Sequence, residues 1–304
     1  MNRRNLLRNI TLIGSVAIAG CSSDGGRDQD TSSGNEQSES DDGQSGDQTG
    51  EESSGEDNQE GSASFELEEW SVPSEVEINE AFTQSVTVTN TGDAAGELST
   101  ELYQRTPESD WTSVEDADFG TIEPGETATV SYEGISYRYV NRYEFRLADF
   151  EQTAVLQTVS AKLEWGTEFT TPNGYVIRVD KPEFQATYTY EDYSGASDEA
   201  RPEDGGQWAF VNVYVKNETG QTAFSPLASD FALIYGNSQA DGETLLLDEP
   251  AEKGEPFNGG ELQPNVEREG WIAYEVPSEL SVEDVRIAWS QTTINGPVSV
   301  NWES

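Results

Sequence analysis

Residues Gln207 to Asn217 set the first limit on the fold. Ala209, Val211, Val213 and Val215 fall on one face of an extended strand, and Trp208, Phe210 and Tyr214 on the other. A strand apolar on both faces needs cover on each side, which places it centrally in a sheet. The same period of two recurs along the chain. Val86 and Val88 alternate with Thr87 and Thr89, and Leu98 and Leu102 flank Thr100. Ala128, Val130 and Tyr132 follow, then Tyr143, Phe145 and Leu147. Further on come Tyr175, Ile177 and Val179, then Phe231, Leu233 and Tyr235, and Ile272, Tyr274 and Val276. Val285, Ile287 and Trp289 and finally Val298, Val300 and Trp302 complete the series. No long stretch shows a 3.6-residue period, so the expected class is all-β with antiparallel strands. Asn90-Thr91-Gly92-Asp93 and Glu123-Pro124-Gly125-Glu126 are the clearest turns. In the second, Pro fixes φ and Gly accepts φ > 0, as a type II turn requires. Six to seven strands before residue 162 predict one sandwich, and the strands from 163 onward a second. The polar stretch 191–207 reads as a loop.

The first 62 residues belong to neither sandwich. Arg3, Arg4 and Arg8 precede an apolar run, Ile10 to Ala19, too short to span a bilayer. Such a start reads as a secretory signal. Ile18-Ala19-Gly20-Cys21 resembles a lipobox, which implies that the Cys21 thiol takes a diacylglycerol and becomes the first mature residue. The rival is an uncleaved anchor with a chance Cys. Arg3-Arg4-Asn5-Leu6-Leu7-Arg8 resembles a twin-arginine export motif. Residues 22–62 hold 13 Asp or Glu and no Ala, Val, Ile, Leu, Met, Phe, Trp, Tyr or Cys. They bury nothing, so a disordered acidic linker is expected, either a spacer or an unselected solvated connection. The expected order is a signal peptide over 1–21, the linker over 22–62, and sandwiches over 63–162 and 163–304.

Charge and composition exclude much chemistry. The 304 residues carry 16 basic and 59 acidic side chains, a net charge of −43, with no His and one Cys. Without His there is no Ser-His-Asp triad and no imidazole ligand or base. One Cys excludes an internal disulfide and a Cys-ligated zinc site. So acidic a surface argues against nucleic acid. Residues 63–304 alone carry a net −34 with four Lys, Lys162, Lys181, Lys216 and Lys253. This Lys-poor surface resembles proteins of salt-loving archaea, whose molar salt screens the self-repulsion. A calcium-binding surface protein is the alternative, although no D-x-[DN]-x-[DN]-G loop is present.

Two further resemblances concern the sandwiches. Val72-Pro73, Val86-Thr87-Val88-Thr89-Asn90-Thr91-Gly92 and Ile122-Glu123-Pro124-Gly125-Glu126-Thr127 make residues 72–147 resemble a CARDB-type (cell-adhesion-related) immunoglobulin-like domain. Asn79-Glu80 stands where that family has a Gly. Residues 165–289 are similar to a domain of unknown function of secreted lipoproteins, with the immunoglobulin-like fold of a mycobacterial immunoprotective antigen. The matching residues are Phe210-Val211-Asn212-Val213-Tyr214-Val215-Lys216-Asn217, Ser225-Pro226-Leu227, Gly260-Glu261-Leu262-Gln263-Pro264 and Gly270-Trp271-Ile272-Ala273-Tyr274-Glu275-Val276-Pro277. Neither resemblance implies a catalytic residue. Independently, Val213 to Gly220 echoes Val86 to Gly92: a strand that ends in Asn with Gly close behind. Duplication and convergence both account for it.

The candidate sites are few. Tyr137-Arg138-Tyr139-Val140-Asn141-Arg142-Tyr143 is basic and Tyr-rich inside an acidic domain, and Arg146 lies close behind. Tyr and Arg are enriched in binding hot spots, so Tyr137, Arg138, Tyr139, Arg142 and Tyr143 are candidate partner contacts. The other reading has Arg neutralising nearby acids while Tyr covers a sheet. An unbroken strand would put Arg138 and Arg142 on one face and Tyr137, Tyr139 and Tyr143 mostly on the other. Asn217-Glu218-Thr219 is an N-glycosylation sequon, or else Asn217 is a structural turn residue. Tyr188, Tyr190 and Tyr193 offer sugar-stacking rings or packing. Glu191-Asp192 and Asp198-Glu199 are paired acids of a hydrolase or solvated surface. No cofactor, metal or catalytic residue is expected. The expected protein is a lipid-anchored, outward-facing, non-enzymatic binding or presentation module. Its expected partners are the membrane, through Cys21, and an envelope protein or glycan. The rivals are a structural envelope component and a carboxylate-dependent hydrolase.

Overall fold

The computed structural model describes residues 61–191, 194–202, 205–242 and 253–304; the expected signal peptide, Cys21 and nearly all of the linker lie outside them. The described residues are all-β, with one-turn 3-10 helices at Ala228–Asp230 and Val282–Asp284 among them. Eight strands build the first sandwich: β1 Phe65–Ser71, β2 Glu75–Glu77, β3 Phe82–Asn90, β4 Gly96–Arg105, β5 Thr112–Ile122, β6 Thr127–Ile135, β7 Arg142–Leu147 and β8 Thr153–Val159. One sheet has the order β1-β3-β6 and the other β2-β8-β7-β4-β5. Alternation turns one row of each strand inward. Val86 and Val88 of β3, Phe119 of β5, Leu147 of β7 and Leu156 of β8 are fully buried in the shared core.

The second sandwich opens with β9 Ala161–Glu164, β10 Glu168–Thr170, β11 Tyr175–Val179, β12 Glu183–Gln185, β13 Tyr188–Glu191, β14 Ser197–Ala200 and β15 Gln207–Asn217. It continues through β16 Ala223–Ser225, β17 Phe231–Tyr235, β18 Ser238–Asp241, β19 Gly260–Leu262, β20 Glu267–Val276, β21 Val285–Thr293 and β22 Gly296–Glu303. The expected boundary at 162/163 falls inside β9, which pairs in parallel with β22 and so belongs wholly to the second sandwich. The stretch expected as a loop over 191–207 contains β14, which forms a hairpin with β13. As its double apolar pattern demands, β15 is central: β11 and β12 pair along one edge and β20 along the other. Its Ala209, Val211, Val213 and Val215 enter the main core with Phe231, Ile287, Trp289 and Trp302. Its Trp208 and Phe210 form a separate aromatic cluster with Tyr188 and Trp271 on the opposite face.

The echo between the two sandwiches is a shared hydrogen-bond clasp. Asn90 is fully buried at the end of β3, and its Nδ2 donates to the carbonyls of Ala94 and Ile122, both at 2.8 Å. Its Oδ1 accepts the Gly92 N–H at 3.0 Å. Asn217, equally buried at the end of β15, donates from Nδ2 to Gln221 and Leu262, again at 2.8 Å, and accepts the Thr219 N–H at 2.9 Å. The turn that each one grips contains a residue at positive φ, Gly125 at 76° or Asn265 at 61°. Both follow Pro, so Pro124-Gly125 and Pro264-Asn265 are equivalent turns. Satisfying every polar atom of a buried amide explains why Asn stands at both positions.

Candidate functional site

The Tyr137–Tyr143 run links two neighbouring features. It is not an unbroken strand: β6 ends at Ile135, the chain bends at Arg138 and Tyr139, and pairing resumes at Arg142. The expected alternation of Arg138 and Arg142 against Tyr139 therefore fails. Tyr137 stacks on Tyr143 with ring centroids 3.9 Å apart and donates its hydroxyl to Gln104 Oε1 at 2.5 Å. Both rings pack in the core of the first sandwich, and that burial raises their phenol pKa values.

The middle of the run meets the second sandwich. The Val140 N–H donates to the Pro297 carbonyl at 2.8 Å, and Asn295 Nδ2 donates to the Tyr139 hydroxyl at 3.3 Å. Gly296 has φ of 130°, a backbone region that favours Gly, and it lies close against Tyr139, whose Cβ would be 3.3 Å from an added Cβ. Ile78, from the turn after β2, is 2% exposed and belongs to the core of the second sandwich. Glu77 Oε2 accepts the Lys162 N–H at 2.7 Å. Beside this junction a cleft of about 490 Å³ opens over Ile78, Ala161, Leu163 and Phe169, with Arg138, Glu77 and Glu168 at its wall. The chain thus places its own second sandwich against Tyr139 and Val140.

The run ends on the outer face of the five-stranded sheet, where the register assembles a basic and aromatic patch. Tyr103 of β4 lies directly opposite Arg146 of β7, and Arg105 opposite Glu144. Arg142, Glu144 and Arg146 share that face through the two-residue period. The guanidinium carbons of Arg105 and Arg146 each lie 4.6 Å from the centroid of Trp111, and Arg146 is 5.4 Å from Tyr103. Glu144 pairs with Arg105 at 2.5 Å and with Arg142, and these two guanidinium groups hold its pKa below the ordinary carboxylate value. Arg146 has no carboxylate within ion-pair distance among the described residues, and its buried Nε has no acceptor. The exposed Val155 of β8 lies opposite Glu144 at the margin. Of these residues the sequence run contained Arg142 and pointed to Arg146. Tyr103, Arg105 and Trp111 escaped notice because roughly 30 to 40 residues separate them from β7.

Asn217 is closed to a glycan: it is fully buried, and both Nδ2 protons are donated to carbonyls, so the turn reading replaces the sequon reading. Tyr188 is 6% exposed and sits edge-on to Trp208 and Phe210 at 5.5 Å, as packing requires. Tyr193 and Asp192 lie outside the described residues. Glu199 pairs with Arg201 at 2.7 Å, and that contact lowers its pKa. Among the described residues no group of three or more His, Cys, Asp or Glu is placed to hold a metal ion, and no helix is long and apolar enough to cross a membrane.

Comparison with known proteins bears on the second sandwich. Residues 173–291 match a family described as a domain of unknown function (DUF4352). No curated protein matches the chain. An uncharacterized beta-sandwich protein from Clostridium difficile 630 aligns at 12% identity and a TM-score of 0.30, covering 47% of this chain and 94% of that one.

Proposed function

We propose that this chain is a lipid-anchored, outward-facing, non-enzymatic module that binds or presents a partner at the cell surface. The observation that carries this reading is the Trp111 patch. Three of the eight arginines of residues 63–304 gather there with Trp and Tyr, the composition of a binding hot spot. Exposed ion pairs stabilise a fold by only about 0–1 kcal/mol each, so stability is a weak reason for the cluster. The lipobox-like Cys21, the acidic stretch after it and the CARDB-like pattern of the first sandwich support placement outside the membrane. The Lys-poor acidic surface supports a salt-rich, archaeal setting. A structural envelope spacer is the second reading, favoured by the core shared at Ile78.

One experiment with two arms tests the proposal in cells at native salt. Cys21→Ala should move the chain from the membrane pellet to the soluble fraction. Trp111→Ala in the full chain should lose captured envelope material at an unchanged melting temperature. Retention in the pellet refutes the anchor, and undiminished capture refutes the binding face.

A further inference from the structure

We infer that the Trp111 patch docks an acidic peptide segment of a partner protein, with Arg146 as its anchor; this rests on the binding reading above. One guanidinium of the patch is not neutralised by any described acid of the chain. Residues 63–304 offer 46 carboxylates, yet none of the described ones comes within ion-pair distance of Arg146. Arg105 and Arg142 both turn to Glu144 instead. Arg146 is held by the rings of Tyr103 and Trp111. Its Nε is buried without an acceptor, and among the described residues its guanidinium makes no ion pair. A planar guanidinium fixed between rings loses little freedom on binding and grips a carboxylate through two parallel N–H bonds.

The surroundings select the kind of ligand. Guanidinium groups stand over the Trp111 ring, so it offers no bare platform for a neutral sugar. Salt screens the net −34 of the surrounding sandwiches, so an acidic segment is held only where its carboxylates reach the patch. The face is the flat outside of a sheet, and Val155 adds an exposed apolar contact at its rim. Trp, Tyr, Arg and an aliphatic neighbour, with no Lys, match the core of a protein interface. In about 1 M salt the Debye length is about 3 Å, so only such close forked contacts remain effective.

The test uses the immobilised full chain in about 1 M salt. The probes are poly-L-glutamate, polygalacturonate and neutral dextran. Poly-L-glutamate should bind, and Arg146→Gln should weaken it at least about tenfold, as expected for one desolvated charge contact. Arg146→Lys keeps the charge and loses the fork, so it should also weaken binding while preserving the melting temperature. Arg286→Gln, the same charge change on β21 of the other sandwich, should leave binding unchanged. Binding of polygalacturonate but not poly-L-glutamate overturns the peptide inference and leaves the binding reading standing. No binding to poly-L-glutamate, equal binding by Arg146→Gln, or equal weakening by Arg286→Gln overturns the inference as well.

Discussion

Replacing Asn217 by Ala should destabilise the second sandwich by about 3 kcal/mol. The side chain makes three hydrogen bonds, two from Nδ2 to the Gln221 and Leu262 carbonyls and one from the Thr219 N–H to Oδ1. Each is worth about 1 kcal/mol net, and truncation leaves its partner groups unpaired at a position with no exposure. For a unit of this size, 1 kcal/mol moves the melting midpoint by roughly 2–4 °C, so a fall of roughly 6–12 °C is expected. Asn217→Asp should be worse than Ala, because a carboxylate would face the two carbonyls that the amide now satisfies. Asn90→Ala should cost at least as much, since its clasp repeats these three bonds and its Oδ1 also accepts the Ser64 N–H at 3.2 Å. Calorimetry of the full chain at fixed salt measures all three. A midpoint within roughly 2 °C of wild type for Asn217→Ala, or an Asp variant more stable than the Ala variant, would refute the clasp. A glycan found on Asn217 by mass spectrometry would refute it too.

Two other outcomes follow from charge. The melting midpoint should rise with salt, because screening relieves the repulsion of a net −34; a flat midpoint would sink the halophile reading. Glu144, with its pKa lowered by Arg105 and then Arg142, adds stability that is present above its unfolded value of about 4.3 and lost as pH falls through the lower folded value. Wild type should therefore outlast Glu144→Gln near neutrality, and the gap should close on acidification below that range; a gap independent of pH would contradict the pairing.

Local pattern carried most of the architecture. The double-faced alternation of Gln207–Asn217 located the central strand, and the Asn90 and Asn217 echo marked the two strand ends that the clasps hold. The site was legible only in part, for a physical reason. Arg105 comes beside β7 through the β4–β7 register, Trp111 folds over it from the turn between β4 and β5, and long-range register is not written in any local window. Ile78 is one apolar residue in a turn, so nothing nearby told that it serves the other sandwich's core. Asn141 interrupts the Tyr/Arg run because its N–H donates to Thr158 Oγ1, a partner 17 residues away.

The two parallel strand pairs bear on how this molecule takes a load. In the first sandwich β2, near its start, runs parallel to β8, its last strand; in the second, β9 and β22 are the first and last strands and are also parallel. Tension applied between the ends of either sandwich pulls such partners in opposite directions along their length. Their hydrogen bonds are then strained together, in shear, whereas a hairpin pulled from its open end peels one bond at a time. Gln157–Val159 of β8 leads through Ser160 straight into β9, so the two shear-loaded pairs stand in series along one line of force. A chain held at one end and tugged at the other would meet its mechanical resistance at these short parallel seams, well away from the Trp111 face.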